Sequence, residues 1–263
     1  MTVYAALLRA ALAGQASYRA SFGFELLGSG LVIGLDFVEV YAVLSLVPEL
    51  EGLGLAEVAL VFALASTAFS LADLVVGQTD RVTDHVRRGT LDVLLLRPLS
   101  TLGQLAAADV QLRRLGRLVT AVAVLAVALG QVDVDWTPAR AALLVVAPLA
   151  GAVIFGSLFV VAGAMSFWVV DGREIGNALT YGSGYLSQWP TGVLGPVLGR
   201  FFTFVIPAAF TGYLPALALL GKDDPAGLPD WLPWASPLAG LLAAAAAGLL
   251  WRTGIRHYVG AGG

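Results

Sequence analysis

The chain has 263 residues; 58% are apolar and 13% are charged, against about 25% charged in a soluble domain. With a mean hydropathy of +0.84, that excludes a disordered chain and argues against a soluble enzyme. The absence of cysteine removes disulfides, thiolate metal sites and cysteine nucleophiles, and a net charge of −3 gives nucleic acid nothing to hold. The two histidines, His85 and His257, are too far apart in sequence to suggest a zinc site. The composition predicts a single-domain, all-α, polytopic membrane protein.

Residues 3–20 read as a weakly amphipathic helix, with Val3, Leu7, Leu8, Ala11 and Leu12 on one face and Arg9, Gln15 and Arg19 off it. Either residues 1–23 form an interfacial helix on the inner leaflet, or they extend the first span into the cytosol. Arg9 interrupts the first apolar run and no basic region precedes it, unlike a secretory signal.

Six spans are predicted, at 24–47, 56–78, 115–132, 141–169, 175–195 and 232–251. The first carries Asp36 and Glu39 near its middle, one turn apart on one face. An ionised carboxylate there costs about 2.5–3.5 kcal/mol, so both must face the bundle, a wet path or a partner subunit. Two readings stand: they line a transport route for polar or cationic cargo, or they tie helices together by hydrogen bonds. Glu25 and Asp73 lie nearer the cytoplasmic ends of their spans, where solvation or a salt bridge is expected. The third span is short, and Arg113, Arg114 and Arg117 are expected to carry it into the cytoplasm and snorkel at the headgroups.

Asp171-Gly172-Arg173-Glu174 forms a tight cytoplasmic turn. Its charges either close on one another or touch a soluble partner. Tyr181-Gly182-Ser183-Gly184-Tyr185 lacks a nucleophile-elbow spacing, and its small residues predict close helix packing. Pro190, Pro196, Pro207 and Pro215 break the next apolar stretch, so residues 196–221 are expected to form a re-entrant hairpin on the outer side. Phe204, Pro207, Phe210, Tyr213 and Pro215 are the candidate outer gate. Their aromatic rings, with Phe201 and Phe202, form either an apolar plug or an outer-leaflet anchor.

With the N-terminus inside, only Arg140, Arg200 and Lys222 of the 15 basic residues fall outside. Trp136, Trp189, Trp231 and Trp234 sit near the outer boundary. A seventh full span through the hairpin would turn Arg252 and Arg256 outward, against the same rule.

Residues 79–117 form the long cytoplasmic connection. Gly89 can end one helix in the left-handed region, Thr90 or Asp92 can start the next, and Pro98 disfavours helix at Arg97. The expected product is a short transverse helix at 91–97, apolar all round at Val93, Leu94, Leu95 and Leu96. It is too short to span, so it must bury in headgroups, in its own bundle or in a partner groove.

The stretch R-R-G-T-L-D-V-L-L-L-R-P-L-S-T-L-G-Q-L (87–105) resembles the first cytoplasmic loop of ABC-2 type export permeases, in the six-helix subgroup. V-I-P-A-A-F-T-G-Y-L-P-A-L-A-L-L-G (205–221) and W-R-T-G-I-R-H-Y-V-G-A-G (251–262) match the same subgroup in order and spacing, although Val259-Gly260 replace a more polar pair. The resemblance implies that the first loop carries a coupling helix docking on a separate ABC ATPase, expected in two copies. The docking residues would be Arg88, Gly89, Leu91, Asp92, Leu94, Leu95, Arg97 and Pro98. It also implies a second permease, related or identical, and export of a small amphiphilic or drug-like molecule or a lipid across the plasma membrane. ATP and Mg would then sit on the partner. This agrees with the sequence, since a phosphate loop needs Gly-rich backbone before Lys-Ser or Lys-Thr, and the sole lysine, Lys222, precedes Asp223. The reading from another class is a stand-alone ion- or proton-coupled carrier, with Asp36 and Glu39 as its titrating pair. A membrane enzyme is disfavoured, because no metal or nucleophile constellation is present.

Overall fold

A computed structural model describes residues 19–108, 111, 114–169 and 173–258. The expected interfacial helix at 1–23 falls almost wholly outside these, as do Arg113, Asp171, Gly172 and the tail beyond Tyr258. Among the described residues the regular structure is helical, apart from one isolated bridge between Leu50 and Leu53.

The first helix, α1 (Arg19–Leu46), is followed by α2 (Leu55–Val76), which forms the axis of the bundle. Every residue of α2 from Val58 to Ser70 is buried. Its sequence explains this, because it is apolar all round, with Ala and Ser letting neighbours approach from each side. Glu57 accepts the Gly54 N–H and so caps the helix start. By contrast α1 buries only a stripe, chiefly Gly30, Ile33, Val40 and Leu44.

Beyond α2, a 3₁₀ turn (Gly77–Arg81) leads into α3 (Val82–Arg87), then α4 (Leu91–Leu95) and α5 (Thr101–Ala108). Gly89 has φ +65°, the left-handed stop expected of it. No side chain caps α4 at Thr90; the Thr90 hydroxyl instead lies 2.8 Å from Nδ1 of His85.

The next helices are α6 (Arg114–Leu129) and α7 (Pro138–Met165), the latter opened by Thr137, whose hydroxyl accepts the Arg140 N–H. The short α8 (Arg173–Asn177) runs through a π-helical turn (Ala178–Gly182) into α9 (Ser183–Leu186). The proline-rich stretch gives α10 (Gly195–Phe204), a 3₁₀ turn at Ala208–Thr211, and α11 (Tyr213–Leu220), which ends at Gly221 with φ +68°. The last helix, α12 (Ser236–His257), packs along α7 through Gly240, Ala247 and Trp251, with Gly254 against Phe167 just beyond it.

Six spans were expected; among the described residues four helices are long and apolar enough to cross a membrane. They are Gly23–Leu46, Leu55–Arg87, Pro138–Met165 and Ser236–His257. The third expected span is α6, whose 16 residues reach only about 24 Å at about 1.5 Å per residue. It nevertheless packs beside α1 and α2. The fifth is helical from 173 to 186, with the π-helical turn inside it, and ends at Leu186, four residues before Pro190. The expected hairpin region is two short helices with unequal surroundings. α11 is buried against α2 and α7, whereas α10 buries only Thr203.

Candidate functional site

α4 is held in place by two of its leucines. Leu91 is 0% exposed. Leu94 packs on a cluster formed by Val82, Leu105, Val160, Ala164, Ala247 and Trp251, which come from α3, α5, α7 and α12. The Gln104 amide donates to the Leu94 and Leu99 carbonyls at 3.0 and 3.2 Å and closes the α4–α5 turn. An aromatic group, Phe167 against Trp251 and Tyr258, stands beside this cluster. Burial first, and the Asp92 carboxylate second, push the Tyr258 hydroxyl above its ordinary pKa.

The opposite side of α4 is bare. Val93 is 54% exposed and Leu96 85%, with Leu95, Arg97 and Pro98 exposed beside them and Arg87 and Arg88 at the rim. Of the docking residues implied by the resemblance, Arg88, Leu95, Arg97 and Pro98 are therefore surface groups. Gly89 and Asp92 are half-buried, and Leu91 is a core residue that faces away from any partner. Val93 and Leu96 are the surface residues that the resemblance left out. The sequence held no signal for the split, because an apolar run without periodicity does not say which side is covered.

A second group lies between α1, α2 and α6. Asp73 is 2% exposed and pairs with Arg114 at 3.0 Å and Arg117 at 3.6 Å. The Arg114 guanidinium also donates to the Asp73 carbonyl. Arg114 is thus buried in the bundle rather than snorkelling, and Asp73 takes the salt-bridged of its two expected roles. A buried acid compels this, since an unpaired charge there costs several kcal/mol. The signal was available: Asp73 is the sole acid in the latter part of the α2 sequence, and the run 113–117 holds three arginines. Close packing fixes the geometry. A Cβ on Gly116 would lie 2.1 Å from the Leu26 carbonyl oxygen, so only glycine lets α6 meet α1 there.

This ion cluster borders a polar cavity of about 530 Å³ lined also by Glu25, Ser29 and Tyr181. A smaller cavity of about 90 Å³ shares Arg117 and Tyr181 and reaches Asp36, Tyr185 and Gln188. Asp36 is half-buried and Glu39 exposed. The Tyr185 hydroxyl donates to the Glu39 carboxylate, a contact the packing reading of 181–185 missed. The packing itself is present, since Gly184 lies against the Phe69 ring.

At the other end, the expected gate residues divide. Phe210, Tyr213 and Pro215 are buried in the bundle, Pro207 is half-buried, and Phe204 is 59% exposed. The Tyr213 hydroxyl donates to Asp224 at 2.7 Å, and Ser236 donates to the Phe210 carbonyl at 3.0 Å. The inner rings are therefore core, while Phe201 and Phe204 lie on the surface.

Among the described residues, no group of acidic or histidine side chains could hold a metal ion. Comparison with curated proteins and with solved structures gives no match. The family model of the ABC-2 family transporter proteins matches residues 31–262, a range that takes in the α4 element, the Asp73 ion cluster and the helices from the later part of α1 onward. The chain belongs to the ABC-2 family of transporter membrane proteins.

Proposed function

We propose that this chain is the permease subunit of an ATP-driven exporter whose nucleotide chemistry occurs on a separate ABC ATPase. The observation that carries the reading is α4. It is anchored inward by Leu91 and Leu94, yet presents Val93, Leu95 and Leu96 to the outside within an arginine rim. Apolar surface with a basic border is what a partner groove receives. A stand-alone ion-coupled carrier has no need of it.

In this reading two ATPase copies bind ATP and Mg and close on one another, and α4 moves with the groove that holds it. Leu91 and Leu94 transmit that motion to α3, α7 and α12, because packed cores shift as units. The 3₁₀ turn at Gly77–Arg81 is the natural hinge, since it interrupts an otherwise long helix. A second permease, related or identical, completes the path. Asp36 and Glu39 face that path and favour a polar or cationic headgroup on a small amphiphile, drug-like molecule or lipid. The six-crossing topology with cytoplasmic termini follows from the arginine distribution, with α6 and the α8–α9 segment crossing inside the shelter of the longer helices.

The test is purification of the chain from its native membrane in mild detergent, with identification of what accompanies it. A stoichiometric soluble ATPase is expected, lost when Leu95 and Leu96 are both changed to Asp. Retention of the ATPase and of transport by that variant would sink the reading.

A further inference from the structure

We propose that the groove between α2, α7 and α12, at the end of the bundle that carries α4 and α5, holds a resident anionic phospholipid. One acyl chain lies in the groove and the phosphate meets Arg252. The groove has a volume of about 630 Å³, and its walls include Val75 and Val76 of α2, Leu149 and Val153 of α7, and Ala244 and Gly248 of α12. It lies apart from the polar cavity at Asp73 and Arg114, which opens between α1, α2 and α6.

Two observations select the occupant. The walls are apolar and concave in a protein whose surroundings are hydrocarbon, and an unfilled groove of this size forfeits the dispersion contacts of every lining atom. A lipid chain restores them at no desolvation cost. The groove then ends at a cation. Arg252 lies at its mouth with Ser100, and its side chain is exposed. Among the described residues no carboxylate is within ion-pair distance of Arg252. A guanidinium at headgroup depth above an apolar groove matches one lipid geometry, a phosphate over its own acyl chain. The charge rule that puts Arg252 on the cytoplasmic side puts this lipid in the inner leaflet. The inference rests on the membrane setting of the family and is independent of the cargo and of the ATPase.

The experiment is native mass spectrometry of the full chain in mild detergent, titrated with palmitoyl-oleoyl phosphatidylglycerol or phosphatidylcholine. The wild type is expected to retain phosphatidylglycerol about fivefold better, the weight of one cation near the surface. Arg252→Gln, at an exposed position, is expected to retain the two lipids equally. Gly248→Leu is expected to weaken both roughly tenfold, the weight of two displaced methylenes. Its Cβ meets no atom within 4 Å, so the new side chain occupies the groove without disturbing the backbone. Equal retention of the two lipids by the wild type overturns the proposal, as does an unchanged preference in Arg252→Gln. So does a dimer that excludes lipid and is lost in Gly248→Leu, which would assign the groove to a second copy. If Gly248→Leu does not fold, the Arg252→Gln comparison decides alone.

Discussion

The first leucine of α4 and the leucine that caps its end should respond to substitution in opposite ways. Leu91 is 0% exposed and Leu96 is 85% exposed, although only five positions separate them. Leu91→Ala removes a fully buried side chain and leaves a cavity, which costs about 2–5 kcal/mol in stability. Leu96→Asp touches nothing inside the chain, so its stability should stay within about 0.5 kcal/mol of wild type. If Leu96 is an anchor in the ATPase groove, however, its loss should remove about 2 kcal/mol of association, roughly thirtyfold in affinity. The assay has two arms: thermal melting of the purified permease in detergent, and co-purification with the ATPase together with ATP-driven export in vesicles. Leu91→Ala should lower the melting temperature and weaken coupling in proportion. Leu96→Asp should melt like wild type and lose the ATPase. A Leu96→Asp permease that keeps both partner and export refutes the docking argument. An unchanged melting temperature in Leu91→Ala refutes the anchoring argument, whatever happens at Leu96.

Four further outcomes follow from the geometry. Arg114→Ala removes the nearer of the two arginines paired with the buried Asp73, leaving Arg117 at 3.6 Å, and should cost up to about 3 kcal/mol in a melting or denaturant series; adding Asp73→Leu should recover much of it. Gly116→Val forces a Cβ into the Leu26 carbonyl, 2.1 Å away, and should destabilise the α1–α6 contact by about 1–3 kcal/mol, read as a lower melting temperature. Asp36→Asn should leave melting unchanged but lower export of a cationic dye by roughly tenfold, the equivalent of about 1.4 kcal/mol of lost charge attraction. Phe210→Ala, in the core, should cost about 3–5 kcal/mol, whereas Phe204→Ala on the surface should melt within about 0.5 kcal/mol of wild type.

How much could be read in advance differs from element to element. Leu55–Val76 and Pro138–Met165 are long, predominantly apolar stretches with charges at Glu57, Asp73 and Arg140 alone, and such stretches have one stable form in a membrane, the helix. Gly89 marked a helix end for a steric reason local to the residue, and it adopts positive φ. The fifth expected span differs from the long helices in carrying a π-helical turn at Ala178–Gly182 and ending at Leu186, and hydropathy records neither. The hairpin residues were located in the chain by their prolines, but not sorted into core and surface.

Composition, charge asymmetry and span-length arithmetic are sums over residues, and the sequence by itself determined them. They made this an all-helical membrane protein with a basic loop after its second long helix, and the motif order placed it in its family. Pairing, sidedness and concavity are relations between segments distant in sequence, and only the tertiary structure decided them. It joined Asp73 to Arg114, split α4 into a buried and a bare side, and enclosed a groove ending at Arg252. The physical reason is the same in each case. An apolar or charged side chain states what it must avoid, and the packing of its neighbours determines where it avoids it.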